Sequence, residues 1–467
     1  MMEITVKDRS LRDRIREQLG QFFQTELARR LGGSPQLLRA EVPIAAIDPL
    51  AWLSAQPHPL KTYWRDRELK FEVAGVGKAD MLSGRAGVDN PSALFRRLTR
   101  YLNDDPGACR YYGGFRFRTR MLPDTRWAHF GSYYFVIPRF EIIRRGQRSY
   151  FACNYLWKPD DPEESYQACM NELLRLNWQM PEVAVTRPTL VERKDFPDKT
   201  RWKQNIQSAL RLMNDRQIEK IVLARRADLT FLEHLEPLRL LAGIQQANAR
   251  AFYFCFQPDH AHAFIGGTPE RLYRRVGRKI FSEAVAGTRP RGTSEHQDIQ
   301  MQQELLQSEK DLREHRFVLE SIRQSFESVC ETVDSTDRIA VLKLDKLQHL
   351  YATLTGILNP DIDDGQILTS LHPTPAVGGV PKVEAIREIE QLENFDRGWY
   401  AGPVGWVSRN AAEFAVAIRS GLVEANRLYL YSGAGIVPGS SPETEWEEIE
   451  SKIANYLKVL GYAWVKR

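Results

Sequence analysis

The chain has 467 residues, 43% of them hydrophobic and 27% charged, and a formal net charge of +5. This composition is ordinary for a globular protein, and the length allows one large or two medium domains. No run of Lys and Arg is dense enough to indicate a nucleic-acid tract or a polybasic membrane anchor, so neither nucleic acid nor a membrane is an expected partner. The modest positive bias suits an anionic substrate.

The five cysteines are scattered and lack the close pairs that zinc or iron–sulfur sites require, which predicts reduced, buried thiols. Residues 1–20 mix acids with bases and have no apolar core, so they resemble neither a signal peptide nor a transit peptide. No apolar stretch approaches the ~20 residues needed to cross a bilayer. We therefore expect a soluble, cytoplasmic protein.

The first half of the chain carries mixed local signals. A charged helical start precedes β-like runs such as 133–143, and a helical pattern follows at 166–178. The segment 185–200 has two prolines and many charges, which predicts a loop. This loop divides the chain into a weakly diagnostic N-terminal half, residues 1–190, and a C-terminal region, residues 195–467.

The second half contains sharper signals. Residues 297–328 are predicted to form one long helix, residues 346–358 a further helical segment and residues 441–461 a closing helix. The runs that are typical of strands are 220–231, 251–257, 261–276, 397–407, 413–423 and 427–437. Because the helices do not alternate strictly with the strands, the pattern predicts an α+β protein with a largely antiparallel sheet.

The closing helix is the most informative element. Ser441 fits an N-cap, with Pro442 in the first helical position. Glu445, Glu448 and Lys452 are spaced i, i+3, i+7 and therefore share one face of the helix. An adjacent apolar stripe would dock the helix on the core, which lets these acids point into a cleft.

The helix predicted at 297–328 carries a similar pair, because Asp311 and Glu314 are i, i+3 neighbours. Two facing helices that each offer two carboxylates would form an open site for a hard cation such as Mg²⁺. The same spacing is more often that of solvated, exposed charges. The residues alone leave both interpretations open.

Eight segments, taken in order, match a known family: KIVLARR, FIGGTPERL, AVAGTRPRG, LLQSEKDLREH, LHPTPAVGG, FDRGWYAGPVGW, FAVAIRS and YSGAGIVPGSSPETEWEEIESK. Through them residues 195–467 strongly resemble the chorismate-utilising enzymes, which include isochorismate synthase, salicylate synthase, anthranilate synthase component I and aminodeoxychorismate synthase component I. The segment GVGKAD at 75–80 also resembles the isochorismate synthase branch. The resemblance implies two stacked, mainly antiparallel β-sheets with helices packed outside, and a chorismate-binding catalytic region at 195–467.

The resemblance also implies a metal site on the two acidic helices. Glu314 and Glu448 would hold Mg²⁺, which in turn would bind the ring carboxylate of chorismate. Asp311 and Glu445 resemble partners that act through water or support the ligands. Mg²⁺ is thus the expected cofactor.

Arg419 resembles the residue that grips the enolpyruvyl carboxylate, for which a planar guanidinium is well suited. Its implied helpers are Tyr400, the backbone of Gly433 and Gly435, and Lys452. Without the resemblance, Arg419 would equally fit a surface salt bridge, and the two glycines a tight turn.

The wall around ring carbon C2 is implied to come from Ala286, Gly287 and Thr288, whose hydroxyl could position water. Aminodeoxychorismate synthases often carry a lysine nucleophile where this chain has Ala286, so covalent capture of the ring is not expected. His372 is implied to lie near the substrate's ring, with a structural histidine as the alternative. The polar pair at 348–349 is expected to serve packing and hydrogen bonding.

Two positions distinguish the members of the family. Ammonia-using anthranilate synthases resemble the KIVLAR segment but have glutamine where this chain has Lys220, and a buried, neutral lysine can deprotonate water. Glu270, in GGTPERL, would donate a proton to the departing C4 hydroxyl, which requires a raised pKa. An ordinary exposed lysine is the alternative for Lys220. The resemblance therefore implies an isochorismate synthase, most similar to those that feed menaquinone or phylloquinone synthesis, with no glutaminase subunit.

Alternatives stay open at this stage. A salicylate synthase forms isochorismate first and then eliminates pyruvate, and no motif excludes it or a siderophore-pathway isochorismate synthase. A catalytically inactive chorismate-binding protein is a further alternative. The intact set of Lys220, Glu270, Glu314 and Glu448 argues against the inactive protein.

Overall fold

The computed structural model describes residues 2–28, 35–85, 87, 90–103, 109–118, 124–159, 163–180, 187–248, 250–335, 339–343 and 347–462. The helices of these ranges are α1 Met2–Ala28, α2 Pro49–Ala55, α3 Pro91–Thr99, α4 Glu163–Leu174, α5 Lys199–Asn214, α6 Pro237–Ala247, α7 Glu295–Gln307, α8 Glu309–Glu327, α9 Asp364–Leu371, α10 Lys382–Leu392 and α11 Pro442–Val459. A short 3₁₀ helix covers Thr125–Trp127.

The strands are β1 Gln36–Ile44, β2 Lys61–Arg65, β3 Phe71–Val76, β4 Asp80–Gly84, β5 Tyr111–Phe115, β6 Tyr133–Ile137, β7 Phe140–Arg145, β8 Arg148–Trp157, β9 Leu190–Phe196, β10 Lys220–Phe231, β11 Phe252–Gln257, β12 His262–Thr268, β13 Arg271–Val276, β14 Lys279–Pro290, β15 Cys330–Ser335, β16 Ala340–Lys343, β17 Leu347–Leu358, β18 Gly379–Val380, β19 Pro403–Val407, β20 Ala411–Val416, β21 Ser420–Glu424 and β22 Arg427–Ile436.

These strands form two antiparallel sheets. In the described residues the larger sheet has 12 strands in the order β1-β8-β7-β3-β2-β11-β12-β21-β22-β10-β18, with β9 also paired to β10. The second has 10 strands in the order β15-β17-β14-β13-β20-β19-β5-β6-β4, with β16 also paired to β17. The prediction of an α+β fold with two mainly antiparallel sheets is confirmed.

Side-chain alternation along β11 shows how the layers pack. Phe254 belongs to a core that it shares with Phe414 of the second sheet, so this face lies between the sheets. Its neighbours Tyr253 and Cys255 point to the opposite face, where they belong to a core shared with helices such as α5 and α11. The larger sheet is therefore buried on both faces, and each fully buried phenylalanine contributes about 1.5–3 kcal/mol of hydrophobic stabilisation.

Both halves of the sequence contribute strands to both sheets. β2 of the N-terminal half pairs with β11, and β5 pairs with β19. The N-terminal half therefore completes the two sheets that carry the C-terminal segments.

The helix predicted at 346–358 is wrong, because this segment forms β17, which pairs with β14 on one side and β15 on the other. The spacing of Leu350, Leu354 and Leu358 also fits one face of a helix, which misled the prediction. In the structure Leu350, Ala352 and Leu354 are all buried, which follows the period of two expected for a strand.

Two other boundaries also differ from the predictions. The helix expected at 297–328 is divided at Ser308, which has extended backbone and whose hydroxyl accepts a hydrogen bond from the Asp311 amide at 3.3 Å. The loop expected at 185–200 contains β9, which pairs with β10. There the Arg193 guanidinium bonds both oxygens of Glu450 at 2.7 Å, so a highly polar edge strand is held by ion pairs.

The closing helix agrees with its predicted ends. The Ser441 hydroxyl caps α11 by accepting the Thr444 amide, and Gly461 follows the last turn with a φ of 86°. All five cysteines are free and buried, as predicted. Across the described helices, none is long and apolar enough to span a membrane.

Candidate active site

A cleft of about 630 Å³ opens between the ends of the central strands and the two acidic helices. Its walls include β10, β14, β22, α8, α11 and the turn after β12. The residues predicted for the site that line this cleft are Lys220, Glu270, Ala286, Gly287, Asp311, Tyr400, Arg419, Gly433, Gly435, Glu445, Glu448 and Lys452. Segments far apart in the sequence thus meet around one cavity.

Lys220 begins β10 and is held on both sides by backbone pairing. It lies opposite Val380 of β18, and the next residue, Ile221, pairs with Ile436 of β22. Lys220 is only 3% exposed, although it lines the cleft. The alternative of an ordinary exposed lysine is therefore wrong.

Glu270 follows β12 on a turn that is fixed by hydrogen bonds. The Thr268 hydroxyl donates to the carbonyl of Val416 at 2.7 Å, and the Val416 amide donates to the carbonyl of Glu270 at 3.0 Å. The Thr374 hydroxyl donates to Oε1 of Glu270 at 3.4 Å. These contacts hold the carboxyl group at the wall of the cleft.

Burial raises the pKa of Glu270 to about 7, against the smaller lowering effects of the Thr374 hydrogen bond and the charge of Lys220. Both side chains line the same cleft. A carboxyl group with this pKa carries its proton in much of the population near neutral pH. Glu270 can therefore act as a proton donor.

Arg419 has a φ of 49°, which is unusual for a residue other than glycine. Its guanidinium lines the cleft, and burial lowers its pKa. In the part of the chain that the structure describes, no carboxylate pairs with it. A desolvated cation without a protein counter-ion favours an anionic ligand.

Tyr400, Gly433 and Lys452 form a contiguous part of the wall. A Cβ atom on Gly433 would lie 3.0 Å from the Tyr400 hydroxyl, so glycine permits the close approach of the ring to β22. Nζ of Lys452 donates to the Gly433 carbonyl at 2.9 Å and to Oε1 of Glu448 at 2.7 Å. The alternative of a mere tight turn does not hold, because Gly433 and Gly435 lie within the strand β22.

Ala286 and Gly287 line the cleft at an irregularity in β14. The pairing of β14 with β17 shifts register between Ala286 and Thr288, and Gly287 has a φ of 68°. A Cβ atom on Gly287 would also lie 3.0 Å from Cβ of Asp311. The side chain of Thr288 lies outside the described part of the structure.

Carboxylates from two helices line the other end of the cleft. Asp311 of α8 and Glu445 of α11 are 8% and 9% exposed, and Glu448 lies one turn further along α11. Asp311 accepts a hydrogen bond from Arg289 at 2.6 Å. Among the described side chains, no three carboxylates at this end converge within 4.8 Å of one another. The side chain of Glu314, the fourth predicted member, is not among those described.

The donor set at this end fits a hard divalent cation. It consists of carboxylate oxygens facing an open cavity, which is the chemistry that Mg²⁺ prefers when water and a ligand complete its shell. Arg289 and Lys452 now balance two of these charges at 2.6 and 2.7 Å. Binding of a divalent cation would therefore compete with two existing ion pairs.

His372 is not brought into the cleft by this structure. Its Nε2 lies 3.2 Å from the carbonyl of Phe117, and the two rings meet edge to face at 5.6 Å between centroids. Burial and nearby cations lower the pKa of His372 to about 3, so the imidazole is neutral at physiological pH. These contacts suit a packing role.

The cleft also contains residues that were not predicted to line it, among them His349, for which only packing and hydrogen bonding were expected. Arg67 comes from the N-terminal half, and Arg289, His349 and Arg397 come from matched segments or their neighbours. Nδ1 of His349 lies 3.3 Å from the Gly287 carbonyl, and burial together with the charge of Arg419 lowers the pKa of His349 to about 4. The QHL sequence was a usable signal for His349, whereas nothing in the sequence around Arg67 pointed to the cleft.

The chain matches the family described as chorismate binding enzyme over residues 22–461. It therefore belongs to that family. The match extends well into the N-terminal half, in agreement with the strands that this half adds to both sheets.

Individual relatives show which members of the family the chain resembles. The chain is 37% identical to isochorismate synthase 2, chloroplastic, of Arabidopsis thaliana over 400 residues, which cover 84% of this chain and 70% of the relative. It is 32% identical to the salicylate biosynthesis isochorismate synthase of Pseudomonas aeruginosa, covering 91% of this chain and 90% of the relative. The solved structure of MenF, the menaquinone-specific isochorismate synthase from Escherichia coli, superposes with a TM-score of 0.82 at 29% identity, covering 93% of this chain and 98% of that one.

Proposed function

We propose that this protein is an isochorismate synthase that converts chorismate to isochorismate. The observation that carries the proposal is the pairing, in one cleft, of a buried lysine with a glutamic acid whose pKa is raised to about 7. An addition of water coupled to the loss of a hydroxyl needs a base and an acid in this relation. The high similarity to enzymes named isochorismate synthases supports the same reaction.

In the proposed reaction Lys220 accepts a proton from water, whose oxygen forms a bond to C2 of the ring. The ring double bonds shift, and the C4–O bond breaks as Glu270 gives its proton to the departing hydroxyl, which leaves as water. One water enters and one leaves, so the substrate is isomerised without an oxidant or reductant. Arg419 holds the enolpyruvyl carboxylate and thereby orients the ring between acid and base.

Magnesium is part of the proposal. Glu448 and Glu314 would hold it, supported by Asp311 and Glu445, and the ion when bound would neutralise and fix the ring carboxylate. The carboxylates that line the cleft at α8 and α11 support this assignment. Ala286, Gly287 and Thr288 are proposed to shape the wall around C2.

The remaining substrate contacts are proposed in the same way. Tyr400, Gly433, Gly435 and Lys452 would flank the enolpyruvyl carboxylate, and their position in the cleft supports this. His372 would stabilise the wall of the cleft without contacting the substrate, through its contact with the Phe117 carbonyl. The similarity to MenF supports a place in menaquinone or phylloquinone synthesis, and Lys220 supports water as the nucleophile without a glutaminase partner.

The decisive experiment is incubation of the purified full chain with chorismate and Mg²⁺, followed by chromatographic separation of the products. Isochorismate as the accumulating product is the expected result. Salicylate would identify a salicylate synthase, and anthranilate formed with ammonium would identify an aminase. No conversion, together with retained chorismate binding, would indicate an inactive binding protein and contradict the proposal.

A further inference from the structure

A cluster of two histidines and an aspartate lies on the surface, remote from the cleft. His129 follows the 3₁₀ helix Thr125–Trp127, Asp259 lies in the turn between β11 and β12, and His262 is the first residue of β12. Glu270 follows the opposite end of that strand, which is roughly 20 Å away along seven extended residues. The cluster therefore belongs to neither the acid–base pair nor the carboxylate wall.

The donor atoms of the cluster are close enough to share one ion. Nδ1 of His129 lies 3.0 Å from Oδ2 of Asp259, and Nδ1 of His262 lies 2.9 Å from Oδ1 of the same carboxylate. The two imidazoles stack at 3.8 Å between centroids with 17° between their planes. Ligands of a tetrahedral zinc ion at about 2.0–2.1 Å stand about 3.3 Å apart, so the ion would be bound once the stacked rings rotate to point both Nδ1 lone pairs at it.

Two of the three ligands, Asp259 and His262, also contact groups outside the cluster's own donor atoms. The Asp259 carboxylate accepts hydrogen bonds from the amides of Ala261 and His262 at 2.8 and 2.9 Å. Nε2 of His262 faces Oε1 of Glu424 at 3.8 Å, directly across the β12–β21 pairing, and the Tyr429 hydroxyl fixes the other oxygen of Glu424 at 2.7 Å. A carboxylate behind a histidine is the arrangement that orients metal-binding imidazoles.

We propose that His129, Asp259 and His262 bind a borderline transition-metal ion such as Zn²⁺, with solvent in the fourth position. Nitrogen donors favour such an ion over Mg²⁺, so this site and the oxygen-lined cleft would select different metals. The side chains of His129 and Asp259 are 45% and 35% exposed, which gives the ion access from solvent.

The structural consequence of the site is a connection between distant parts of the chain. His129 belongs to the N-terminal half, whereas Asp259 and His262 belong to the hairpin of β11 and β12. The metal would join the turn at 125–131 to that hairpin. We therefore expect metal binding to raise thermal stability without supplying any catalytic group.

Hydrogen bonds from two imidazoles to one carboxylate would produce similar distances, so the test measures metal binding directly. The purified full chain, stripped of metal and saturated with Mg²⁺ to occupy the oxygen ligands of the cleft, is titrated with Zn²⁺ in competition with a chromophoric chelator. We expect one tight zinc equivalent. His129→Gln should weaken its affinity by about tenfold or more, as should the supporting variant Glu424→Gln.

His260→Gln is the matched control, because it removes an exposed imidazole from the same turn outside the cluster. It should leave zinc affinity unchanged. His129→Gln changes a half-exposed side chain, so it should fold and retain chorismate turnover, and its melting temperature should no longer rise with Zn²⁺. Absence of a tight zinc equivalent in the unmodified protein, or equal affinity in His129→Gln, would overturn the proposal.

Discussion

The two ends of the cleft hold their acidic groups in different ways. At the end formed by strands and turns, Glu270 is desolvated and its pKa is raised to about 7. At the end formed by helices, Asp311 pairs with Arg289 and Glu448 pairs with Lys452 at 2.6 and 2.7 Å. The first environment keeps a proton on its acid, and the second balances carboxylates with cations. Under the proposed function, proton transfer and ion binding belong to separate sets of residues, so variants at the two ends should lose activity in different ways.

The largest effect is expected at the base. Lys220→Ala should lower kcat by about 10³- to 10⁴-fold, because no other group replaces the amine that activates water. Lys458→Ala, which removes an exposed lysine of α11, should leave turnover unchanged. Steady-state rates with chorismate at saturating Mg²⁺ measure both variants. Near-normal turnover of Lys220→Ala would remove the base from the mechanism.

Replacement of the acid tests the same end of the cleft. Glu270→Gln should lower kcat by about 10²-fold or more, since the amide cannot protonate the departing hydroxyl. In the unmodified enzyme the acid must carry its proton, so kcat should fall as pH rises through about 7, the raised pKa of Glu270. The residual activity of Glu270→Gln should lose this decline. A decline that persists in the variant would assign it to another group.

Arg419 lines the same cleft and, under the proposed function, should affect substrate binding more than chemistry. Arg419→Lys keeps the charge but cannot form bidentate hydrogen bonds with a carboxylate. KM for chorismate should therefore rise about tenfold to a hundredfold. Arg427→Lys, at an exposed position of β22, serves as the control. Initial rates over a range of chorismate concentrations separate KM from kcat. A loss confined to kcat would contradict the role in substrate binding.

The smallest effect is expected at the helical end. Glu448→Gln should raise the Mg²⁺ concentration required for half-maximal activity by about tenfold, while kcat at saturating Mg²⁺ is largely retained. Glu447→Gln, an exposed neighbour on α11, should require the same Mg²⁺ as the unmodified enzyme. Removal of Mg²⁺ by a chelator should abolish activity in all three proteins. Equal Mg²⁺ requirements for the two variants would contradict the proposal that the helical end of the cleft binds Mg²⁺ through Glu448.

The fold class and most of the cleft could be predicted from the sequence, because the matched segments carry both the strands and the site residues. Local patterns failed where tertiary pairing decided the structure. Residues 346–358 have leucines at helical spacing, yet they lie between two strands that satisfy their backbone groups. Arg67 could not be predicted as a cleft residue, because only the pairing of β2 with β11 brings its part of the chain to the site.

The pairing of β2 with β11 has a consequence for synthesis in the cell. The two strands begin about 190 residues apart in the sequence. Because ribosomes add roughly 5–20 residues per second, β2 is synthesised roughly 10–40 s before β11. During that interval its hydrogen-bonding edge is open to other chains. We therefore expect chaperones to bind the nascent protein, and the yield of folded protein to depend on the speed of translation.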